Sequence, residues 1–486
     1  MSVPRHRSRL RALLTTGALL GASAALAACS TTLAGTAVSV FADPFRVAGL
    51  EATDGPTGLR PVADAPTREV EGTDGGEIDE ISVQSISDIE AYWASVYNNT
   101  FTGEFQPVSA LISWDSDEYD GSFCDQETYG FVNAGYCPVD KTIGWDRGTL
   151  FPSLQRANGD MGITMVLAHE YGHSVQKQAK LNRRGTSVLV GEQQADCFAG
   201  AYMRWVAEDN SPRFTLSTGD GLNNLLAGMI LFRDPLLSEE DVFGDGNEHG
   251  TAFERISAFQ FGFADGPSAC AAIDAEEVAQ RRGDLPVALQ QDQTGEWPVS
   301  EESAKAIIDA MAILFELPRP PELRFDATQD CPDARPSPPA SYCPATNTIA
   351  VDLPGLIDLG TARDGDKFSA GLSGDNTAYS VLISRYMLAV QQEHGGLVLD
   401  NAKAGLRTAC LTGVATTAMT REVSTPDGNT VALTAGDLDE AVAGLLTNGL
   451  AAGDVNGESV PAGFSRIDAF RTGVLGDQER CLRRFP

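Results

Sequence analysis

The chain has 486 residues, of which 42% are hydrophobic and 21% charged, and its formal net charge is -32. That apolar content suits a globular protein with more than one core, and the length corresponds to about two to four domains. A field this negative repels a polyanion, which excludes nucleic acid as a partner.

Basic residues in "RHRSRLR" precede the apolar run "ALLTTGALLGASAALAA". The run is too short and too rich in small residues to span a membrane and suits an export signal over residues 1–28. It ends in Leu26-Ala27-Ala28-Cys29, which resembles the lipobox of bacterial lipoproteins. The resemblance implies a lipid-bearing Cys29 and a protein anchored to the cell membrane on its extracytoplasmic side. Residues 29–77 include "LEATDGPTGLRPVADAPTREVEGTDGGEIDE" and have no sustained period, so a disordered tether is expected there. Apolar periodicity then rises and predicts a helix over 86–98.

Eight cysteines remain beyond Cys29, and in an exported chain they predict a disulfide framework. Cys124, Cys137, Cys197 and Cys270 are separated by 13, 60 and 73 residues; Cys331, Cys343, Cys410 and Cys481 by 12, 67 and 71. Longer phrases repeat as well. "YCPVDKTIGWD" from Tyr136 matches "YCPATNTIAVD" from Tyr342, and "GDMGITMVLAHEYGHSVQ" from Gly159 matches "GDNTAYSVLISRYMLAVQ" from Gly374. "FERISAFQFG" from Phe253 matches "FSRIDAFRTG" from Phe464. Self-similarity at a nearly fixed offset marks a duplicated unit. The expected fold is therefore α+β, with two tandem units at 78–292 and 293–486, each mainly helical with a small sheet. Three pairings would serve both units alike. The expected one joins Cys124 to Cys137 and Cys197 to Cys270, mirrored by Cys331 with Cys343 and Cys410 with Cys481.

In "HEYGH", His169 and His173 stand four residues apart, so on a helix both imidazoles leave the same face and can share a tetrahedral metal. Glu170 can reach a water at that metal without ligating it. Asn158 or Asp160 can cap such a helix, and Met161, Met165, Val166, Ala168 and Val175 give it an apolar side. Gly172 costs a helix interior about 1 kcal/mol, which close packing of another backbone would explain. "GEQQADCFAG" sets Glu192 and Asp196 one turn apart on a following helix. Glu192 can complete the shell, and Asp196 can accept the second ring N–H of a ligating histidine. This spacing resembles the gluzincin class of metallopeptidases.

"AHEYGHSVQ", "EQQADCFAGAY", "YCPVDKTIGWD" and "HGTAFERISAFQFGF" are similar to the bacterial neutral zinc metallopeptidase family. The resemblance implies a zincin-like fold, one zinc held by His169, His173 and Glu192, and hydrolysis of peptide bonds with Glu170 as general base. "KTIGWD" reads as a strand and, by the same resemblance, as the edge along which an extended peptide adds. His249 in "NEHGTAFER" has two readings, a catalytic group that stabilises the oxyanion or a cap for the next helix.

In the second unit the places of His169, Glu170, His173, Glu192, Asp196 and His249 are held by Ser384, Arg385, Leu388, Gly405, Ala409 and Val460. Every proposed ligand and catalytic group is replaced while the cysteines and apolar positions stay. A folded, metal-free pseudo-peptidase unit is expected, open to a role in substrate capture, as a lid, or in binding a protein partner. Two functions follow for the whole chain. One is a membrane-anchored zinc peptidase acting on peptides or proteins of the cell envelope; the other is a non-catalytic binding or scaffold lipoprotein with a structural zinc. The open fourth coordination position favours the enzyme, because structural sites close their shell with a protein ligand.

Overall fold

The computed structural model describes residues 42–118, 121–236, 249–290, 293–326, 330–362 and 372–486; the export signal and Cys29 lie outside the described residues. Residues 42–76 correct the expected tether. They pack as a strap whose backbone pairs with distant segments, which is why the stretch has no period of its own. Gly58–Leu59 pairs with Phe214–Thr215, Arg68 reaches Glu90 and the carbonyl of Val108, and Val47 is fully buried.

Helix α1 (Glu77–Thr100) begins well before the predicted 86–98. Ser82 and Ser85 return their hydroxyls to the carbonyls of Ile78 and Ile81, so a turn that reads as polar can be buried. Glu77, Asp79 and Glu80 in the first turn favour the start. A three-stranded sheet follows, made of β1 (Leu111–Trp114), β2 (Ala134–Cys137) and β3 (Thr142–Asp146). Its order is β1-β3-β2, with β1 parallel and β2 antiparallel to β3. The strand in "KTIGWD" is therefore central, with β1 and β2 as the edge strands. The main helices that follow in this half are α2 (Asp160–Ala179), α3 (Val188–Ala207), α4 (Asp220–Leu231) and α5 (Ala252–Asp265). Cys124 pairs with Cys137, and Cys197 on α3 pairs with Cys270 beyond α5. A Cβ at Gly262 would lie 1.7 Å from the carbonyl oxygen of Cys197, so α3 and α5 touch backbone to backbone.

The second half contains α6 (Glu301–Phe315), then β4 (Glu322–Arg324), β5 (Ala340–Cys343) and β6 (Thr348–Val351). The order is β4-β6-β5, again parallel then antiparallel. Helices α7 (Asp375–His394), α8 (Ala402–Ala418), α9 (Asp437–Thr447) and α10 (Gly463–Val474) follow. Cys331 pairs with Cys343 and Cys410 with Cys481, and a Cβ at Gly473 would lie 1.8 Å from the carbonyl oxygen of Cys410. One compact unit holds both halves, with a single large apolar cluster running through them. Gln260 on α5 donates to the carbonyl of Phe464 on α10 at 2.9 Å, and Arg471 donates to that of Ser257 at 3.1 Å. Among the described residues no helix is long and apolar enough to cross a membrane.

The start of α7 and the first turn of α9 bring the buried Asp375 and Glu440 together beside the exposed Glu296. Carboxylate oxygens of Glu296, Asp375 and Glu440 lie within 4.8 Å of one another, with Asp437 acting on both Asp375 and Glu440. Burial first, and the neighbouring carboxylates after it, raise Asp375 to about 7 and Glu440 to about 9. Such a group keeps a proton in the folded chain that the unfolded chain releases. Stability therefore falls as pH rises from the ordinary 3.8 and 4.5 toward those raised values. Melting curves at pH 5 and pH 8.5 should show this fall, and Glu440→Gln, which keeps an acceptor for the N–H of Asn376, should melt roughly 2 °C or more above the parent at pH 8.5 only. Equal pH slopes in the two proteins would contradict it.

Candidate functional site

Helices α2 and α3 cross at Gly172, where a Cβ would lie 2.9 Å from the Cα of Ala195. This close approach is what lets side chains from both helices meet. His169 Nε2 lies 3.2 Å from Glu192 Oε2, and His173 Nε2 lies 3.5 Å from Glu192 Oε1. Tetrahedral zinc with bonds of about 2.0–2.1 Å holds its ligand atoms about 3.3 Å apart, so the three residues fit a zinc ion. The start of α2 differs from expectation. Its N-cap is Gly159; Asp160 accepts the N–H of Leu59 and Asn158 donates to the carbonyl of Asn224, so neither side chain caps the helix.

Each histidine is oriented from behind. Asp196, fully buried, takes His169 Nδ1 at 2.7 Å and Arg255 Nε and Nη2 at 2.8 and 2.9 Å. A proton on Nδ1 leaves the lone pair of Nε2 facing Glu192 and His173. Burial disfavours a charged His169, but Asp196 and then Glu192 outweigh it and raise the imidazole to about 10. Burial likewise opposes the Asp196 carboxylate, and Arg255 and His169 more than offset it, lowering its pKa. His173 Nδ1 lies 3.2 Å from Gln176 Oε1, and the Gln176 amide nitrogen donates to the carbonyl of Gly191. Sequence reasoning missed Arg255 and Gln176. The i, i+3 spacing of His173 and Gln176 was a usable signal for the second; Arg255 is 59 residues from Asp196 and only the fold joins them.

Glu170 Oε2 accepts the N–H of Tyr136 at 3.0 Å, from the edge strand β2. It faces a cavity of about 470 Å³ whose wall includes Ala134, Tyr136, Met165, Phe232, Arg233 and His249. The N–H groups of His249 and Gly250 both donate to Asp234 Oδ2, at 2.7 and 2.8 Å, and His249 Nδ1 lies 3.3 Å from Asp234 Oδ1. The hydrogen bond to Asp234 raises His249 above the ordinary imidazole value. His249 does not cap α5, because Thr251 does so in a capping box with Glu254.

The corresponding places in the second half hold no ligand set. Ser384, Leu388 and Ala409 are fully buried. A Cβ at Gly405 would lie 2.5 Å from the carbonyl oxygen of Ala452 and 3.0 Å from Val460 Cγ2, which leaves no room for a glutamate. Arg385 is fully buried and donates to the carbonyl of Ala340 on β5 at 2.7 Å.

The Asp196 contacts make a measurable difference to metal binding. Asp196→Asn loses the charge that fixes His169, and its zinc affinity, measured by chelator competition, should fall by about 10–100-fold. An unchanged affinity would mean that Asp196 serves the core alone.

Residues 14–273 match the family model described as "Putative neutral zinc metallopeptidase". The chain is 33% identical over 156 residues to the uncharacterized protein YpfJ of Escherichia coli (strain K12), covering 28% of this chain and 52% of that protein. It is 28% identical over 168 residues to the uncharacterized protein Rv2575 of Mycobacterium tuberculosis (strain ATCC 25618 / H37Rv), covering 30% of this chain and 57% of that one. The chain spans about half the length of the curated relatives it matches. No solved structure matches it. The match to the family model takes in more than half of the chain, from before the strap to beyond α5, and so the chain belongs to the putative neutral zinc metallopeptidase family.

Proposed function

We propose that the chain is a zinc-dependent peptidase of the cell envelope, anchored to the membrane through a lipidated Cys29 and acting on peptides or proteins outside the cytoplasm. One observation carries the catalytic part: His169, His173 and Glu192 converge beside a cleft, and among the described residues no fourth His, Cys, Asp or Glu joins them. Zinc held there would supply Lewis acidity to a substrate carbonyl and to a water. The chain's own residues do the rest. Glu170, fixed by the N–H of Tyr136, takes the proton of the attacking water and returns it to the departing amine. His249, oriented by Asp234, donates a hydrogen bond to the oxygen that gains charge. The edge strand β2, whose Ala134, Gly135 and Tyr136 line the cleft, offers an extended peptide a strand to lie along.

We read the second half as a degenerate copy of the first. Matching strand order, strand directions and cysteine separations support this reading. Arg385 in the place of Glu170 bonds the edge strand β5 that would otherwise face a peptide.

The purified parent should carry about one zinc per chain and cleave members of a proteome-derived peptide library. Glu170→Gln should keep the zinc and lose at least about 100-fold in rate. A fully loaded parent that cleaves nothing, or a Gln variant as fast as the parent, would leave only a scaffold with a structural zinc. For the anchor, Cys29→Ser should move the protein from the membrane to the soluble fraction on cell fractionation.

A further inference from the structure

Two guanidinium groups stand on the cleft wall, and their donors meet different surroundings. Arg255 is buried, with Nε and Nη2 on Asp196 and Nη1 on the carbonyl of Phe232. Arg233 keeps 29% of its side chain exposed. A guanidinium has five N–H donors, and among the described residues those of Arg233 meet one hydrogen-bond acceptor, the carbonyl of Ile230 at 3.0 Å from Nη1. Its Nε lies 3.9 Å from Asp439 Oδ2, too far for a hydrogen bond but near enough to be held by charge. Asp439 belongs to α9 in the second half, and its other oxygen accepts the N–H of Phe253 in the first turn of α5 at 2.9 Å. Arg233 also borders a smaller cavity of about 190 Å³, which shares Arg233 and Asp234 with the cleft and is lined by Asp439 and Glu440.

The other charges of the cleft are already engaged. Asp196 is taken by Arg255 and His169, Glu192 lies against both histidines, Asp234 holds His249, and Glu170 accepts from Tyr136. We propose that Arg233 is the specificity-determining residue of the cleft, binding a carboxylate of the substrate peptide, and that the second half sets its position through Asp439. This rests on the peptidase reading above. A carboxylate has two oxygens that match the paired N–H groups of a guanidinium, and it is the anion that an unmodified peptide carries. The net charge of -32 does not forbid such a substrate, because exposed charges are screened beyond about 8 Å at physiological ionic strength. An acidic side chain and a free C-terminus both offer this chemistry.

Fluorescein-capped alanine hexapeptides serve as probes, with Asp or Asn scanned through the positions and a free or amidated C-terminus. Binding is read by anisotropy on zinc-loaded Glu170→Gln protein, and cleavage of the same peptides on the parent. A peptide with a well-placed carboxylate should bind about tenfold more tightly than its amide counterpart, a difference of about 1.4 kcal/mol. Arg233→Gln should reduce that ratio to about one, Arg233→Lys should retain part of it, and Asp439→Asn, which keeps an acceptor for Phe253, should lower it. A preference that follows Asp within the peptide supports recognition of an acidic side chain; one that follows the free C-terminus supports trimming of chain ends. Equal binding of acid and amide peptides, or a ratio that survives Arg233→Gln, overturns the proposal. Carboxylate-dependent binding without any cleavage by the parent would count against the peptidase reading and leave the role of Arg233 standing.

Discussion

The ion-paired Asp196 is the constraint on which the rest of the site depends. A carboxylate with no exposure persists only if its charge is paired and its oxygens are bonded. Its three donors come from His169 on α2 and Arg255 on α5, while Asp196 itself lies on α3. The same contact thus joins three helices and orients a ligating histidine. Helix α5 is in turn held from the second half, by Gln260 on the carbonyl of Phe464, by Arg471 on that of Ser257, and by Asp439 on the N–H of Phe253. The half without ligands therefore bears on the site without touching the three residues that would hold the metal.

Close helix packing makes this possible, and it is set by missing side chains. Gly172 lets α2 approach α3, and Gly262 lets α5 approach α3, with Gly473 and α8 in the equivalent relation in the second half. The α3–α5 pair and the α8–α10 pair each lie beside a long-loop disulfide, with sequence separations of 73 and 71. Under the chain-entropy model such loops stabilise the fold by about 4 kcal/mol each. Helices held this near and this firmly can keep the His169 and His173 Nε2 atoms within 3.5 Å of one carboxylate.

Much of this was legible in the sequence wherever the determinant is local or repeated. The four-residue spacing of His169 and His173 and that of Glu192 and Asp196 follow from helix geometry, and Gly172 in a helix interior pointed to a close neighbour. Repetition narrowed the cysteine pairing to three schemes, and the structure has the expected one of them. What was not legible depends on contacts across the chain. Strap residues 42–76 have partners as far along the chain as Phe214 and Ser465, so composition alone reads them as solvated. Strand β3 became central because β1, about thirty residues earlier, pairs on its far side, and no alternation in either strand announces that pairing. Arg255 sits in a repeated block, but its carboxylate partner is on another helix, and nothing in the spacing joins them.

The second half indicates why the site groups are absent from it together. Removing one partner of a buried ion pair costs about 3–5 kcal/mol, because the other charge is left unpaired. Arg466 stands where Arg255 does and faces that situation: Ala409 replaces the carboxylate, its Nε has no acceptor among the described residues, and burial lowers its pKa to about 10. Elsewhere the interior is built around guanidinium groups bonded to carbonyls and amides. Arg385 donates to Ala340, and Arg407 donates to Gln391, which occupies the place of Gln176 and also bonds Thr408. Gln391 keeps the residue but not the task, since a histidine no longer precedes it by three positions. Placing two histidines in register with His169 and His173 would not make a metal site there, because the position in register with Glu192 is closed by Ala452 and Val460. What the second half does supply is contact with α5 and Arg233 from outside the cleft, through Asp439, Phe464 and Arg471.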